Sequence, residues 1–169
     1  MSTNEFDNKH TKVEANKVGD VFMIDVDDLV PSPQNAYEMS EIDKLASYMV
    51  ANNFYVTTLE VERLEGQDGK YEIISGHRRC EAWKKLLESG VTTERRLPCV
   101  IRHFAEESFS YKDEKSGEGK RQTISAETQK TVALILSNIG QRQDKSLKVE
   151  VWEIEQLEPY ARMKYLQRE

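Results

Sequence analysis

Two cysteines, Cys80 and Cys99, are all that the 169 residues contain. They sit alone, without metal-like spacing, which excludes a disulfide-stapled secreted scaffold and fits a reducing compartment. His10, His77 and His103 are equally scattered, which speaks against a zinc site of the usual kind. No run reaches the ~18 apolar residues of a membrane span, and the N-terminus lacks a signal-peptide core. The expectation is a cytoplasmic protein with no membrane partner. An excess of positive charge is also missing: 24 Lys and Arg face 30 Asp and Glu, for a net −6 and a pI of about 5.3. The whole chain therefore has no basic footprint for nucleic acid, and any DNA contact must be local or carried by another segment.

What is present suits one domain with a flexible margin. Charged residues make up 32% and hydrophobic ones 38%, so part of the length should be solvated loop or tail. Residues 1–19 are polar, carry both charges and show no period, which reads as a disordered tail. Val21 to Val26 reads as a strand, and Pro31-Ser32-Pro33 then enforces extended or turn backbone. Ser40 is placed to start a helix, with Asp43 three residues on. Ile42, Leu45, Ala46, Met49 and Val50 form its apolar face, and Asn52-Asn53 its stop.

A second strand is expected over Thr57 to Leu64, followed by a Gly-containing hairpin loop and a returning strand from Tyr71 to Ile74. After Gly76, the positions Ala82, Trp83, Leu86 and Leu87 predict a helix ending at Gly90. Leu97 to Ile101 reads as a further strand. Residues 105–124 are charged and Gly/Ser-bearing, and are expected to be a long mobile loop or insertion. Ser125 caps a predicted helix ending at Gly140. A last helical stretch follows, which Pro159 should break or kink.

The chemistry concentrates in Ile73-Ile74-Ser75-Gly76-His77-Arg78-Arg79-Cys80. A strand, a tight turn and a helix N-terminus in that order form an anion site, because backbone N–H groups and the helix dipole point at one place. From Gly76 to His103, seven positive residues (Arg78, Arg79, Lys84, Lys85, Arg95, Arg96 and Arg102) face three negative ones (Glu81, Glu88 and Glu94), about +4 within a chain of −6. Spacing alone allows an ordinary solvated face. Placement argues for more, since Arg78 and Arg79 stand where the dipole disfavours cations by roughly 0.3–1 kcal/mol each. They need a compensating anion, from the protein or from a ligand. Cys80 has two readings, a thiol activated by the arginines or a small core residue in phase with Trp83 and Leu87. His77 reads as a polar turn residue. No catalytic or metal-ligating set emerges.

These residues resemble a family. Gly76-His77-Arg78-Arg79-Cys80-Glu81-Ala82 is similar to the glycine–x–arginine–arginine–x–x–alanine box of the ParB/RepB partition-protein N-terminal domain. Val30-Pro31-Ser32-Pro33-Gln34-Asn35 resembles that family's opening segment, and Leu134 to Arg142 its third box. The resemblance covers roughly residues 20–158. It implies an α+β fold of the ParB/sulfiredoxin type, a small mixed β-sheet surrounded by helices. It also implies a homodimer engaged in plasmid partition or chromosome segregation. A nucleotide such as CTP, with Mg²⁺, would bind at Ser75, Gly76, His77, Arg78 and Arg79, with Thr57, Thr58, Asn138 and Arg142 completing the pocket. In such proteins a downstream helix-turn-helix reads DNA; separately, the local positive charge allows direct DNA contact through Arg78, Arg79, Arg95, Arg96 and Arg102. Residues 159–169 would then begin a further helical segment of a longer protein.

The chain departs from the family pattern in three places. His77 stands where a glutamate is usual, and Thr57-Thr58 replaces a Gln-Pro or Thr-Pro pair. Ser137 occupies the place of a metal-binding glutamate, which argues against hydrolysis because Mg²⁺ in such sites takes at least one carboxylate. No cysteine precedes His77, as sulfiredoxin chemistry requires, and no paired carboxylates support a nuclease. The other reading is a degenerate assembly module without nucleotide or enzymatic activity.

Overall fold

The computed structural model describes residues 20–112, 116–139 and 147–166. The expected tail, residues 1–19, and Arg142 lie outside these described residues. Five strands form one sheet in the order β1-β5-β3-β4-β2. They are β1 (Val21–Asp25), β2 (Leu29–Pro31), β3 (Leu59–Arg63), β4 (Tyr71–Ser75) and β5 (Arg96–Arg102). The sheet is mixed: β1 with β5 and β3 with β4 are antiparallel, while β2 with β4 and β3 with β5 are parallel. With helices on both faces this is an α+β fold, as expected from the sequence.

Alternation along β4 divides the core in two. Ile73 joins Leu59, Val61, Leu97 and Cys99 under α1 (Ile42–Ala51) and α2 (His77–Glu88), where Ala46, Met49, Trp83 and Leu86 are buried. Ile74 points the other way. It packs with Tyr37, Phe104 and Leu134 under α3 (Ala126–Asn138) and α4 (Leu147–Leu166).

Several boundaries differ from the sequence reading, each for a local reason. β1 stops at Asp25 because the Asp25 carboxylate accepts the Asp27 N–H at 2.9 Å and starts a short 3-10 turn. Helix α1 begins at Ile42 rather than Ser40. Its cap is Glu41 in a left-handed conformation, without a side-chain cap bond, and the Glu41 carboxylate turns to Lys44 and Arg78 instead.

The end of α1 is a Schellman motif: Phe54 N–H donates to Met49 O at 2.8 Å and Asn53 N–H to Val50 O at 3.1 Å. Asn53 and Phe54 both have positive φ, 53° and 59°. Asn tolerates this; for Phe it is unusual. The Phe54 ring meets Trp83 edge-to-face, with centroids 6.3 Å apart, and this contact offsets the backbone strain.

Residues 105–124 are not an irregular loop. They contain an antiparallel hairpin of β6 (Glu107–Lys112) and β7 (Gly119–Ile124). Ser125 caps α3 as expected, accepting the Thr128 N–H at 3.1 Å. Pro159 does not end the last helix, which runs from Leu147 to Leu166 across the expected boundary at residue 158.

Both cysteines are fully buried. Burial pushes the Cys80 thiol up to about 11. Burial, and secondarily the neighbouring Cys80, push Cys99 up to about 12. The core reading of Cys80 therefore holds, and the activated-thiol reading is corrected. Neither thiol should react with an aromatic disulfide reagent near pH ~8 in the folded chain, and both should react once it is unfolded. Rapid labelling of the native protein would contradict this.

Candidate functional site

The turn between β4 and α2 is built on Gly76, whose φ of 107° lies in the left-handed region. A Cβ there would meet Leu59 Cγ at 2.6 Å, so neither the backbone angle nor the space admits a side chain. With glycine at the cap position, α2 starts without a side-chain cap bond. Its first turn holds no acidic residue. Such a helix N-terminus attracts anions through its N–H groups and its dipole.

The two arginines of that first turn have different partners. Arg79 reaches back across the turn: one guanidinium nitrogen donates to Thr57 O at 2.8 Å, Thr57 Oγ1 at 2.5 Å and Thr58 O at 2.8 Å. Its other nitrogen lies 3.5 Å from Ser75 Oγ. Burial lowers its pKa from the ordinary arginine value, opposed by the charge of Glu60. Thr57, Thr58 and Ser75 thus come together around Arg79, and their oxygens tie the loop before β3 to the helix start.

Arg78 is held more loosely. Its Nη2 lies 3.9 Å from the exposed Glu41 carboxylate, and its buried Nε has no hydrogen-bond partner among the described residues. His77 is 7% exposed, and its Nε2 accepts the Ser32 N–H at 3.1 Å. That nitrogen is therefore occupied as an acceptor.

Asn138 spends its amide on its own helix, donating to Leu134 O at 2.8 Å and to Ser137 Oγ at 3.2 Å. Arg95 pairs with Asp25 at 3.1 Å and also with Asp27. Arg96 pairs with Glu94 at 3.0 Å, and Arg102 with Glu60 at 2.6 Å. Lys84 pairs with Glu81 and Lys85 with Asp43. The basic window is largely neutralised by the chain's own acids.

A second polar cluster, absent from the sequence reading, lies behind the turn. Lys130 of α3 contacts Glu62 at 2.7 Å and Glu72 at 2.8 Å, all three side chains nearly buried. Burial opposes the Lys130 charge, but the hydrogen bonds and charges of Glu62 and Glu72 outweigh it and raise the pKa. The stability this adds is present below lysine's ordinary pKa and is lost as pH rises through the higher folded value.

Glu72 also accepts from Ser32 Oγ at 2.7 Å. Ser32 therefore links the cluster to His77. Gln34 binds Glu127 and Thr131, and Tyr37 donates to Glu153 at 2.5 Å, so the segment leading to α1 is clamped to α3 and α4. One signal for this was available: Glu72 is a charge inside the apolar run Tyr71-Glu72-Ile73-Ile74.

The class that this fold and site define is a mixed-sheet α+β domain with a strand–turn–helix whose helix starts on a glycine without a side-chain cap. The particular family follows from comparison. The ParB N-terminal domain family matches residues 8–111, more than half of the chain, and the chain belongs to it. The match begins ahead of the expected boundary at residue 20 and ends within β6.

Among solved structures, the chain is similar to the C-terminally truncated chromosome-partitioning protein ParB from Caulobacter crescentus complexed with CTP-gamma-S. That match has 16% identity and a TM-score of 0.44, over 76% of this chain and 56% of that one. It is also similar to the same truncated ParB complexed to the centromeric parS site, at 15% identity and TM-score 0.48, over 79% and 55%. Sulfiredoxin from Arabidopsis thaliana matches at 19% identity and TM-score 0.37, over 50% and 85%. The chain spans just over half the length of the two partition-protein structures. No curated protein matches it. Among the described residues, no helix is long and apolar enough to cross a membrane.

Two substitutions test this construction. Gly76→Ala should cost about 2–3 kcal/mol, from left-handed strain plus the contact with Leu59. Lys130→Met should cost about 3–5 kcal/mol, because it leaves Glu62 and Glu72 buried without their cation. Urea unfolding measures both, and wild-type stability in either variant would refute the corresponding contact.

Proposed function

We propose that the chain is the ParB-like domain of a DNA-partition or mobile-element regulatory protein, binding a nucleotide of the CTP type, or another phosphate group, at the Gly76–Arg79 turn. It would act as a homodimer, together with a DNA-binding segment. The observation that carries this reading is the uncapped N-terminus of α2 beside Arg78, whose Nε has no partner. A phosphate there would accept from first-turn N–H groups and from the Arg78 fork. Within this reading Arg79 is a positioning residue, since its Nη1 is spent on Thr57 and Thr58 and its Nη2 faces Ser75. The Ser75 hydroxyl and the His77 side chain are also engaged within the protein.

The residues present fit the phosphate part of the nucleotide better than its Mg²⁺. Among the described residues, no group of three or more His, Cys, Asp or Glu side chains is placed to hold a metal. Ser137, in the place of the family's glutamate, donates its hydroxyl to Leu134 O at 2.8 Å. A metal bound here would be held chiefly through phosphate oxygens, and no hydrolytic step is assigned.

The internal pairing of the arginines favours a second reading, an assembly module without nucleotide. DNA contact by Arg95 and Arg96 would require exchanging Asp25, Asp27 and Glu94 for phosphates. Such binding would weaken with salt at a log–log slope near −0.9 per phosphate neutralised.

Calorimetric titration with CTP, ATP and GTP in the presence of Mg²⁺ separates the readings. Binding should weaken about tenfold or more in Arg78→Ala, the worth of one charge-assisted hydrogen bond. Arg79→Ala should lose binding together with stability. No heat with any of the three nucleotides would leave the assembly reading.

A further inference from the structure

Among the described residues, the second face of the sheet is covered on one side only. Helix α3 packs against β4, which buries Glu72 and Ile74. Over β1 and β5 the same face stays open: Val21 is 52% exposed and Met23 50%. Their cross-strand partners on β5, Val100 and Pro98, are partly exposed as well. The four form one apolar strip that reaches the sheet edge. Phe22, on the other face of β1, is 46% exposed.

The edge itself is unguarded. β1 is the last strand in the sheet order, with no outer partner among the described residues. Its residues Val21-Phe22-Met23-Ile24-Asp25 pair with β5 in an unbroken register. Edge strands are ordinarily blunted by proline, lysine or a bulge. This one carries none of them.

We propose that β1 is a self-association surface, on which a second copy of this chain pairs its own β1 antiparallel about a two-fold axis. Such an interface needs a strand complementary to itself. The only charge on β1, Asp25, lies at one end and is paired with Arg95. Centred on Met23, antiparallel pairing keeps the two Asp25 residues about 14 Å apart along the strands. It also brings the acidic end of one copy, Asp25 and Asp27, alongside the Val100–Arg102 end of the other. The apolar strip then runs continuously across both copies.

The buried area is on the order of 1,000 Å², the low end for a specific interface, so the dimer forms and dissociates with concentration. The competing occupant is the chain's own residues 1–19, which lead into β1. They hold five apolar side chains (Met1, Phe6, Val13, Ala15 and Val18) among nineteen, and are poorly matched to the strip. The proposal does not depend on what the Gly76–Arg79 turn binds.

The test is sedimentation of the full chain from about 5 to 500 µM, the range of a weak interface. Amide hydrogen exchange of β1 is followed at both ends of that range. A monomer–dimer equilibrium is expected, with β1 protection rising with concentration. Met23→Lys and Val21→Lys should each weaken the dimer at least tenfold while keeping the thermal midpoint, since both side chains are half exposed. A monomer at every concentration overturns the proposal, and so does a dimer that both variants retain. Full β1 protection in the dilute monomer also overturns it and makes residues 1–19 the occupant.

Discussion

The fold depends on a close approach that only glycine permits. At Gly76 the chain leaves β4, turns through a left-handed angle and enters α2, with Leu59 of the neighbouring strand filling the space a Cβ would take. That contact sets β3 against the start of α2. Arg79 completes the joint by gathering the carbonyls of Thr57 and Thr58, which a loop ending outside the β-ladder would otherwise leave to water. The basic first turn, unfavourable by dipole alone, is thus partly explained by backbone oxygens that act as its anion. Arg78 is the part left over.

Behind this joint, buried charge works beside the hydrophobic packing of Ile74, Phe104 and Leu134. The Glu62–Lys130–Glu72 cluster fixes α3 on the sheet, and Ser32 passes the arrangement on to His77. Buried ions contribute little net stability compared with apolar residues of the same shape, but removing one member is costly. The cluster therefore specifies where α3 sits more than how strongly it is held. The segment from Ser32 to Tyr37 is its common contact, touching β4, α2, α3 and α4.

The strand–turn–helix, the two apolar helix faces and the Ser125 cap were legible in the sequence, because each is encoded within a few neighbouring residues. The roles of the arginines were not. Arg79 finds its partners more than twenty positions earlier, and Arg95 finds Asp25 across two strands, so their pairing exists only after folding. Glu62 alternates with Leu59 and Val61 along β3, a pattern that equally suits a bare sheet face, and only folding brings Lys130 to it. The hairpin of β6 and β7 was hidden by its charge, although Ser108-Phe109-Ser110-Tyr111 carries the two-residue period of a strand. Ser40 does not cap α1: Glu41 takes the cap position and its carboxylate faces Arg78.

The ion pairing around α2 also bears on kinetics. Seen from more than a Debye length away, about 8–10 Å at ordinary ionic strength, a basic residue beside its own acid has almost no field. An anion approaching this chain meets a net charge of −6 and a basic window already discharged. Long-range steering, which speeds many phosphate-binding proteins toward the diffusion limit, is therefore missing here. Under the proposed phosphate-binding reading, discrimination would reside in how long a ligand stays, set by the few donors within reach of α2.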